Sequence, residues 1–312
     1  MRIVYLSLFA ATAGCVEFIG DKGNIGFRSN LAAAGDHWTP EFAIANGTIA
    51  IFEAEKLLRT KPSSTEDSLS VFGRANRGLQ EVYSEENKLA VTGNDSRGVV
   101  HFSGDASDKF AVRFTQPTSL SFHDPTTATI EDPWVFPDTF GIAEGSTLDV
   151  TATLHDINGE TLGYHLDDLT LTEGAIVQPK PEENSTFSLF GHGSSSQVIE
   201  SAHLDHPLTG PLVHTVDPQD VVSIEIDTFI TDFGSHEHIL FVRVVGQTHE
   251  GLTVYGLDSD ISWSGTGQIH QYGNGNAMID VSNAQSSHGQ LIITLDALEV
   301  REDISLPVPS TD

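Results

Sequence analysis

Leu148-Asp149-Val150-Thr151-Ala152-Thr153-Leu154-His155 takes apolar and polar side chains strictly in turn. A β-strand sends successive side chains to opposite faces, so this stretch reads as a strand with one face in a core and the other in water. An α-helix would scatter the same apolar residues around its circumference. Asp156-Ile157-Asn158-Gly159-Glu160 follows, and Asn-Gly closes hairpins because both residues accept positive φ at low cost.

The same grammar extends in both directions. Val222-Ser223-Ile224-Glu225-Ile226-Asp227 alternates, and Phe110, Val112 and Phe114 share one face with Ala111 and Arg113 on the other. Ile239 to Val245 and Gln290 to Leu295 are β-branched-rich runs that suit more deeply buried strands. Asn46-Gly47, Asn274-Gly275 and Gly265-Thr266-Gly267 supply further turns. Helical periodicity is scarce: Phe52 to Leu58 has the residue types of one short helix, and Gly78 to Leu89 reads as a second helix or a loop. Many short strands with regular turns give an all-β chain of sandwiches or small barrels.

Length and punctuation divide the chain. At 312 residues it exceeds one sandwich, and Pro117 and Pro207-Leu208-Thr209-Gly210-Pro211 interrupt ladder pairing. The expected division is 1–15 as a signal, sandwiches over 16–117, 118–210 and 211–304, and a disordered tail over 305–312. Trp38, Trp134 and Trp263 fall about one per unit. Each reads as a core plug; exposed on a sheet face, it would instead stack on sugar.

The run Ile142-Ala-Glu-Gly-Ser-Thr-Leu-Asp-Val150, with the hairpin after it, resembles the central strand and hairpin of bacterial Ig-like domains over Ile142 to Ile176. Asn46 to Phe52, Asp217 to Ile226 and Gly251 to Trp263 echo it. The resemblance implies tandem Ig-like β-sandwiches of the kind stacked in surface and secreted proteins.

At the N-terminus, Arg2 precedes a short apolar run, Ile3 to Ala13. About 11 residues rise only about 16 Å as a helix, too short for a ~30 Å hydrocarbon core but suited to a signal peptide. Thr12-Ala13-Gly14-Cys15 ends the run and resembles the lipobox of bacterial lipoproteins. The resemblance implies cleavage before Cys15 and acylation of its sulfur. Acyl chains at about 0.8 kcal/mol per buried CH₂ anchor a protein without a membrane-spanning helix. Val16 stands where an Asp would resemble an inner-membrane retention signal, which points to the outer membrane or cell surface. Cys15 is the sole cysteine, so no disulfide staples the chain to itself.

Charge narrows the partners. Asp plus Glu number 44 against 15 Lys plus Arg, a formal charge of −29, which repels nucleic acid. Asp156, Asn158 and Glu160, with Asp258 and Asp260, place hard oxygen ligands in short turns and are candidates for structural calcium; no other cofactor is expected. His236 and His238, two apart on one strand, are candidates for a transition metal. Gly191-His192-Gly193-Ser194 lacks the Gly-x-Ser-x-Gly of a nucleophile elbow, and no catalytic residue is assigned. The expectation is a non-enzymatic, lipid-anchored structural or interaction protein with a protein or glycan partner. The alternatives are a carbohydrate-binding or polymer-processing accessory lipoprotein, and a hydrolase with an unrecognised acidic site.

Overall fold

A computed structural model describes residues 16–19, 25–31, 41–56, 69–76, 78–125, 134–165, 169–172, 178–179, 186–192, 198–201, 208, 210–232, 238–273, 275–282 and 288–306. Among these residues there is no α-helix, only strands, turns and one 3₁₀ turn, Pro218–Asp220.

The first sandwich opens with β1 (Val16–Ile19), β2 (Ile25–Ser29), β3 (Glu41–Ala45) and β4 (Ala50–Lys56). It continues with β5 (Val71–Ala75), β6 (Gln80–Glu85), β7 (Lys88–Thr92), β8 (Ser96–Gly104) and β9 (Ser107–Thr115). One sheet runs β1-β2-β4-β7-β6 and the other β3-β9-β8-β5. Their inner faces supply Phe27, Phe52, Phe102, Phe110 and Phe114, whose rings pack between the sheets. Alternation put them there: in β9, Phe110, Val112 and Phe114 are buried while Lys109 is exposed.

The middle sandwich contains β10 (Ser119–His123), β11 (Thr139–Ala143), β12 (Thr147–His155), β13 (Thr161–Leu162) and β14 (Leu169–Thr172). Its later strands are β15 (Gln178–Pro179), β16 (Thr186–Phe190), β17 (Val198–Ser201) and β18 (Leu212–Val216). β10-β12-β16-β15 form one sheet, and Leu148, Val150, Ala152 and Leu154 of β12 face the core as their spacing requires. β11 and β18 pair in parallel opposite it. That pairing crosses the expected boundary at 210, because Leu212–Val216 carries the last strand of the middle sandwich and not the first of the next.

The third sandwich has β19 (Val221–Asp232), β20 (His238–Thr248), β21 (Thr253–Tyr255) and β22 (Asp260–Trp263). It ends with β23 (Gln268–Gly273), β24 (Asn276–Asp280), β25 (His288–Leu295) and β26 (Leu298–Ser305). β19, β20, β24 and β23 lie in one sheet; β22-β25-β26 make the other. Ser305 closes β26 and Leu306 is buried, so the ordered chain reaches past the expected start of the tail.

Two local expectations are overturned. Phe52 to Lys56 belongs to β4, where Phe52 and Ala54 point into the core, and Gly78 to Leu89 contains β6 and the start of β7. Both segments contain Glu and Lys, good helix formers, yet pairing with β2 and β4 decides their conformation.

Trp263 plugs the third sandwich beside its core. Its indole lies over Gly289 of β25 and Gly265, where an added Cβ would fall inside the ring's van der Waals envelope. Gly289→Ala is therefore expected to destabilise the third sandwich by about 1–3 kcal/mol through overpacking. Denaturant unfolding followed by Trp263 fluorescence checks this, against Ser262→Ala as a surface control.

Candidate functional site

The residues with unusual environments gather where one sandwich meets the next. β3 is short and hydrogen-bonds on both edges. On one side it pairs in parallel with β9, the last strand of its own sandwich. On the other, Ala45 N–H donates to the Gly163 carbonyl at 2.9 Å and Gly163 N–H donates to Ala43 O at 2.8 Å. Gly163 belongs to the middle sandwich, so the backbone ladder continues across the junction.

β11 repeats the arrangement. It pairs in parallel with β18 on one side, and on the other with β21 of the third sandwich, Ile142 opposite Tyr255 as Ile44 is opposite Gly163. The sequences repeat too: Phe42-Ala-Ile-Ala-Asn-Gly-Thr48 against Phe140-Gly-Ile-Ala-Glu-Gly-Ser146. In both, the glycine after the strand, Gly47 or Gly145, takes positive φ to turn the chain into the next strand.

The first junction has an ionic clasp. Asp156, fully buried at the hairpin between β12 and β13, accepts through Oδ1 the N–H groups of Asn158 at 2.8 Å and Glu160 at 2.9 Å. Its Oδ2 faces Arg113 Nη1 of β9 at 3.4 Å, while Arg113 Nη2 pairs with Glu160. Burial pushes the Asp156 carboxyl pKa up, but donation from the Glu160 and Asn158 amides, the Asn158 side chain and Arg113 outweighs it and holds the group below its ordinary range. Asp156, Asn158 and Glu160, the calcium candidates, are thus brought together, with the carboxylates of Asp156 and Glu160 facing N–H donors. Asp258 and Asp260 stand exposed around β22's start.

At the second junction the equivalent hairpin, Thr248 to Leu252, keeps the backbone bonds but has Thr248 and Leu252 where the first has Asp156 and Glu160. Thr248 Oγ1 accepts the Leu252 N–H at 3.2 Å, as Asp156 does for Glu160. His214 occupies Arg113's place beside β11. A cleft of about 680 Å³ opens there between His214, Asp220, His249 and Glu250.

A second cation holds this junction instead. Arg243 of β20 is 5% exposed. It donates through Nε and Nη2 to Asp227 Oδ2 of β19 at 3.3 and 2.8 Å. Its guanidinium lies 4.5 Å from the Trp134 ring centre, 5.0 Å from Tyr255 and 5.4 Å from Phe136. Trp134 and Phe136 come from the segment leading into β11, so the cage joins two sandwiches. Burial raises the Tyr255 hydroxyl pKa, with Arg243 opposing.

Between β10 and β12, Ser121 Oγ lies 2.9 Å from His123 Nε2 and 2.8 Å from His155 Nε2. Burial lowers both imidazole pKa values, and His155 lowers that of His123 further. His238 is half-buried at the start of β20, its N–H donated to Ser282 Oγ at 3.0 Å. His236, Trp38 and Cys15 lie outside the described residues. Among the described residues, no group of three His, Cys, Asp or Glu is placed to hold a metal ion.

Asp156 and Glu160, which the sequence nominates as oxygen ligands for calcium, meet Arg113 here. Arg243 is not among the nominated residues; its signal in the sequence is a lone charge inside the apolar run Ile239 to Val245.

No family model matches the chain, and no curated protein does. Solved structures do. Domains 4–9 of the surface layer protein SbsC align over 94% of this chain and 46% of that one, at 12% identity and TM-score 0.36. The Escherichia coli adhesin FdeC aligns over 85% and 94%, at 13% identity and TM-score 0.25. The I9–I11 tandem of titin aligns over 84% and 94%, at 10% identity and TM-score 0.19. The chain spans just under half of the SbsC fragment. At these values no residue's role carries across.

Two outcomes follow. Asp156→Ala removes the acceptor of two buried N–H groups and is expected to cost about 2–4 kcal/mol, more than Arg113→Ala at the partly exposed end of the clasp; urea unfolding measures both. For the histidines, the folded state resists protons that the unfolded chain binds near pH ~6.5. Their contribution is full above that pH and is lost as pH falls through the window towards the depressed folded-state values. The slope of stability between pH 7.5 and 5.5 is expected to flatten in the double variant His123→Gln, His155→Gln.

Proposed function

We propose that this chain is an exported, lipid-anchored protein of the cell envelope or surface, with a non-enzymatic structural and interaction role. Acylated Cys15, just before β1, fixes the first sandwich to the outer membrane or cell surface. The three sandwiches then act as a spacer that carries a binding face away from the lipid.

The observation that supports this reading is the repeated junction. A flexible linker would let each sandwich turn independently. Here backbone hydrogen bonds run from β3 into the middle sandwich and from β11 into the third, and a buried charge cluster or aromatic cage reinforces each crossing. Such joints transmit orientation, as a spacer needs to and an enzyme does not require. Of the aromatics that a glycan reader would expose, Trp134 is engaged by Arg243 and Trp263 by the third core.

The anchor and the spacer are tested separately. Cys15→Ser is expected to abolish incorporation of a fatty-acid analogue and release the protein from membranes; unchanged membrane retention would overturn the anchor. For the spacer, spin labels at exposed Lys109 and Glu299 of the soluble Cys15→Ser chain should give one narrow distance distribution by pulsed electron resonance. Arg243→Ala is expected to broaden it, whereas a broad distribution in the otherwise unaltered chain would sink the spacer reading.

A further inference from the structure

The outward face of the β3-β9-β8-β5 sheet carries a row of basic side chains. Arg74 of β5 stands opposite His101 of β8, and His101 opposite Lys109 of β9. Opposed residues of antiparallel strands lie about 5 Å apart at Cα, so the row crosses three strands within about 10 Å. A cleft of about 370 Å³ opens over it, lined among the described residues by Arg74, Ala75, Asn76, Val99, His101 and Lys109. That lining contains no carboxylate. Asn76 Oδ1 accepts the Val99 N–H at 3.1 Å, so what its amide still offers is the Nδ2 donors.

The chain as a whole has a formal charge of −29, and the next basic pair on this face is neutralised from within. Arg97 and Arg113 also stand opposite each other. Arg97 Nη2 donates to Glu41 Oε2 at 2.8 Å, and Arg113 pairs with Asp156 and Glu160. Arg74 differs. Its side chain is 77% exposed, and Glu81, whose Oε1 accepts the Ala75 N–H at 2.7 Å, comes only to 3.7 Å from Arg74 Nη1. That distance is outside hydrogen-bond reach, so the guanidinium keeps its donors for a group arriving from solvent.

We propose that this cleft binds the phosphate group of a small phosphomonoester. Such a group carries about −1.5 to −2 charges at neutral pH, which matches the two fixed cations of the row, whereas a carboxylate leaves one of them unmatched. Arg74 presents a planar fork to two phosphate oxygens, and Lys109 a point charge. The ligand is small because the protein's overall negative field opposes a long polyanion, while a single phosphate answers to the local row. The cleft's volume falls in the range of small-molecule sites. The interaction role proposed above names no ligand; this site goes beyond it and depends on neither the lipid anchor nor the spacer.

The test uses the full-length, soluble Cys15→Ser chain at constant ionic strength. Glycerol 3-phosphate is titrated in while backbone amide shifts are followed by nuclear magnetic resonance, with acetate as the carboxylate control. Saturating shifts are expected in β5, β8 and β9 around Arg74, His101 and Lys109. The double variant Arg74→Gln, Lys109→Gln should raise the half-saturating concentration about tenfold or more through loss of two charged hydrogen-bond donors. Lys109→Arg should preserve binding, and Arg301→Gln on the third sandwich should leave it unchanged. Flotation with phosphatidylcholine vesicles, with and without phosphatidic acid, then separates two sources of the same group. Flotation that requires phosphatidic acid and is lost in the double variant assigns a lipid headgroup; its absence assigns a soluble phosphomonoester. Titration without saturating shifts at these strands, equal affinity for acetate, or an unchanged half-saturating concentration in the double variant would each overturn the site.

Discussion

A strand has two edges, and each must hydrogen-bond to something or face water. β3 and β11 meet this constraint in the same way: their own sandwich satisfies one edge, and the next sandwich satisfies the other. Everything distinctive about the molecule follows from that sharing. The core of the middle sandwich gathers Ala43 and Ala45 from before it and Val245 and Tyr255 from after it. Its boundaries are thus places where cores touch, not gaps between them. Polar side chains are recruited to the crossings because a ladder that leaves its own domain needs support from both sides.

The two crossings share a backbone and differ in chemistry. Asp156 and Thr248 hold equivalent places in equivalent hairpins, and both accept the N–H four residues on. Asp156 carries a charge into that place, so it requires Arg113. Thr248 does not, and the partner position can be His214 beside an open cleft. The stabilising cation there, Arg243, approaches from another direction and is received by three rings and Asp227. Exposed ion pairs contribute little to stability; Asp156 and Arg243 matter because they are buried.

Much of the fold was legible because period two is a direct imprint of a sheet with one wet face. Leu148 to His155, Val222 to Asp227 and Phe110 to Phe114 all lie in strands; the alternating apolar residues of the first and last face the core, whereas Val222 is exposed beside a break in register and Ile224 is the buried residue of its stretch. The failures were local. Phe52 to Lys56 and Gly78 to Leu89 have helical propensities, and only partners distant in sequence overrule them. The junctions were less legible. Asp156-Ile-Asn-Gly-Glu160 offers the oxygens a cation would want, but nothing near it in sequence announces Arg113 from the preceding sandwich. Phe-x-Ile-Ala-x-Gly is written twice in the chain, yet its meaning, a strand shared between domains, requires knowing which edges it touches.

The parallel pairing of β3 with β9 and β11 with β18 has a mechanical consequence. In each sandwich the earlier strand leads from the N-terminal side and the later one leaves towards the C-terminal side, so tension along the chain slides them past each other. Evenly spaced, slanted bonds loaded in shear must give way together, whereas a hairpin pulled at its open end loses them one at a time. The first two sandwiches therefore have a built-in resistance to stretching, and the third, whose last strand among the described residues pairs with its hairpin partner alone, is the one that yields first.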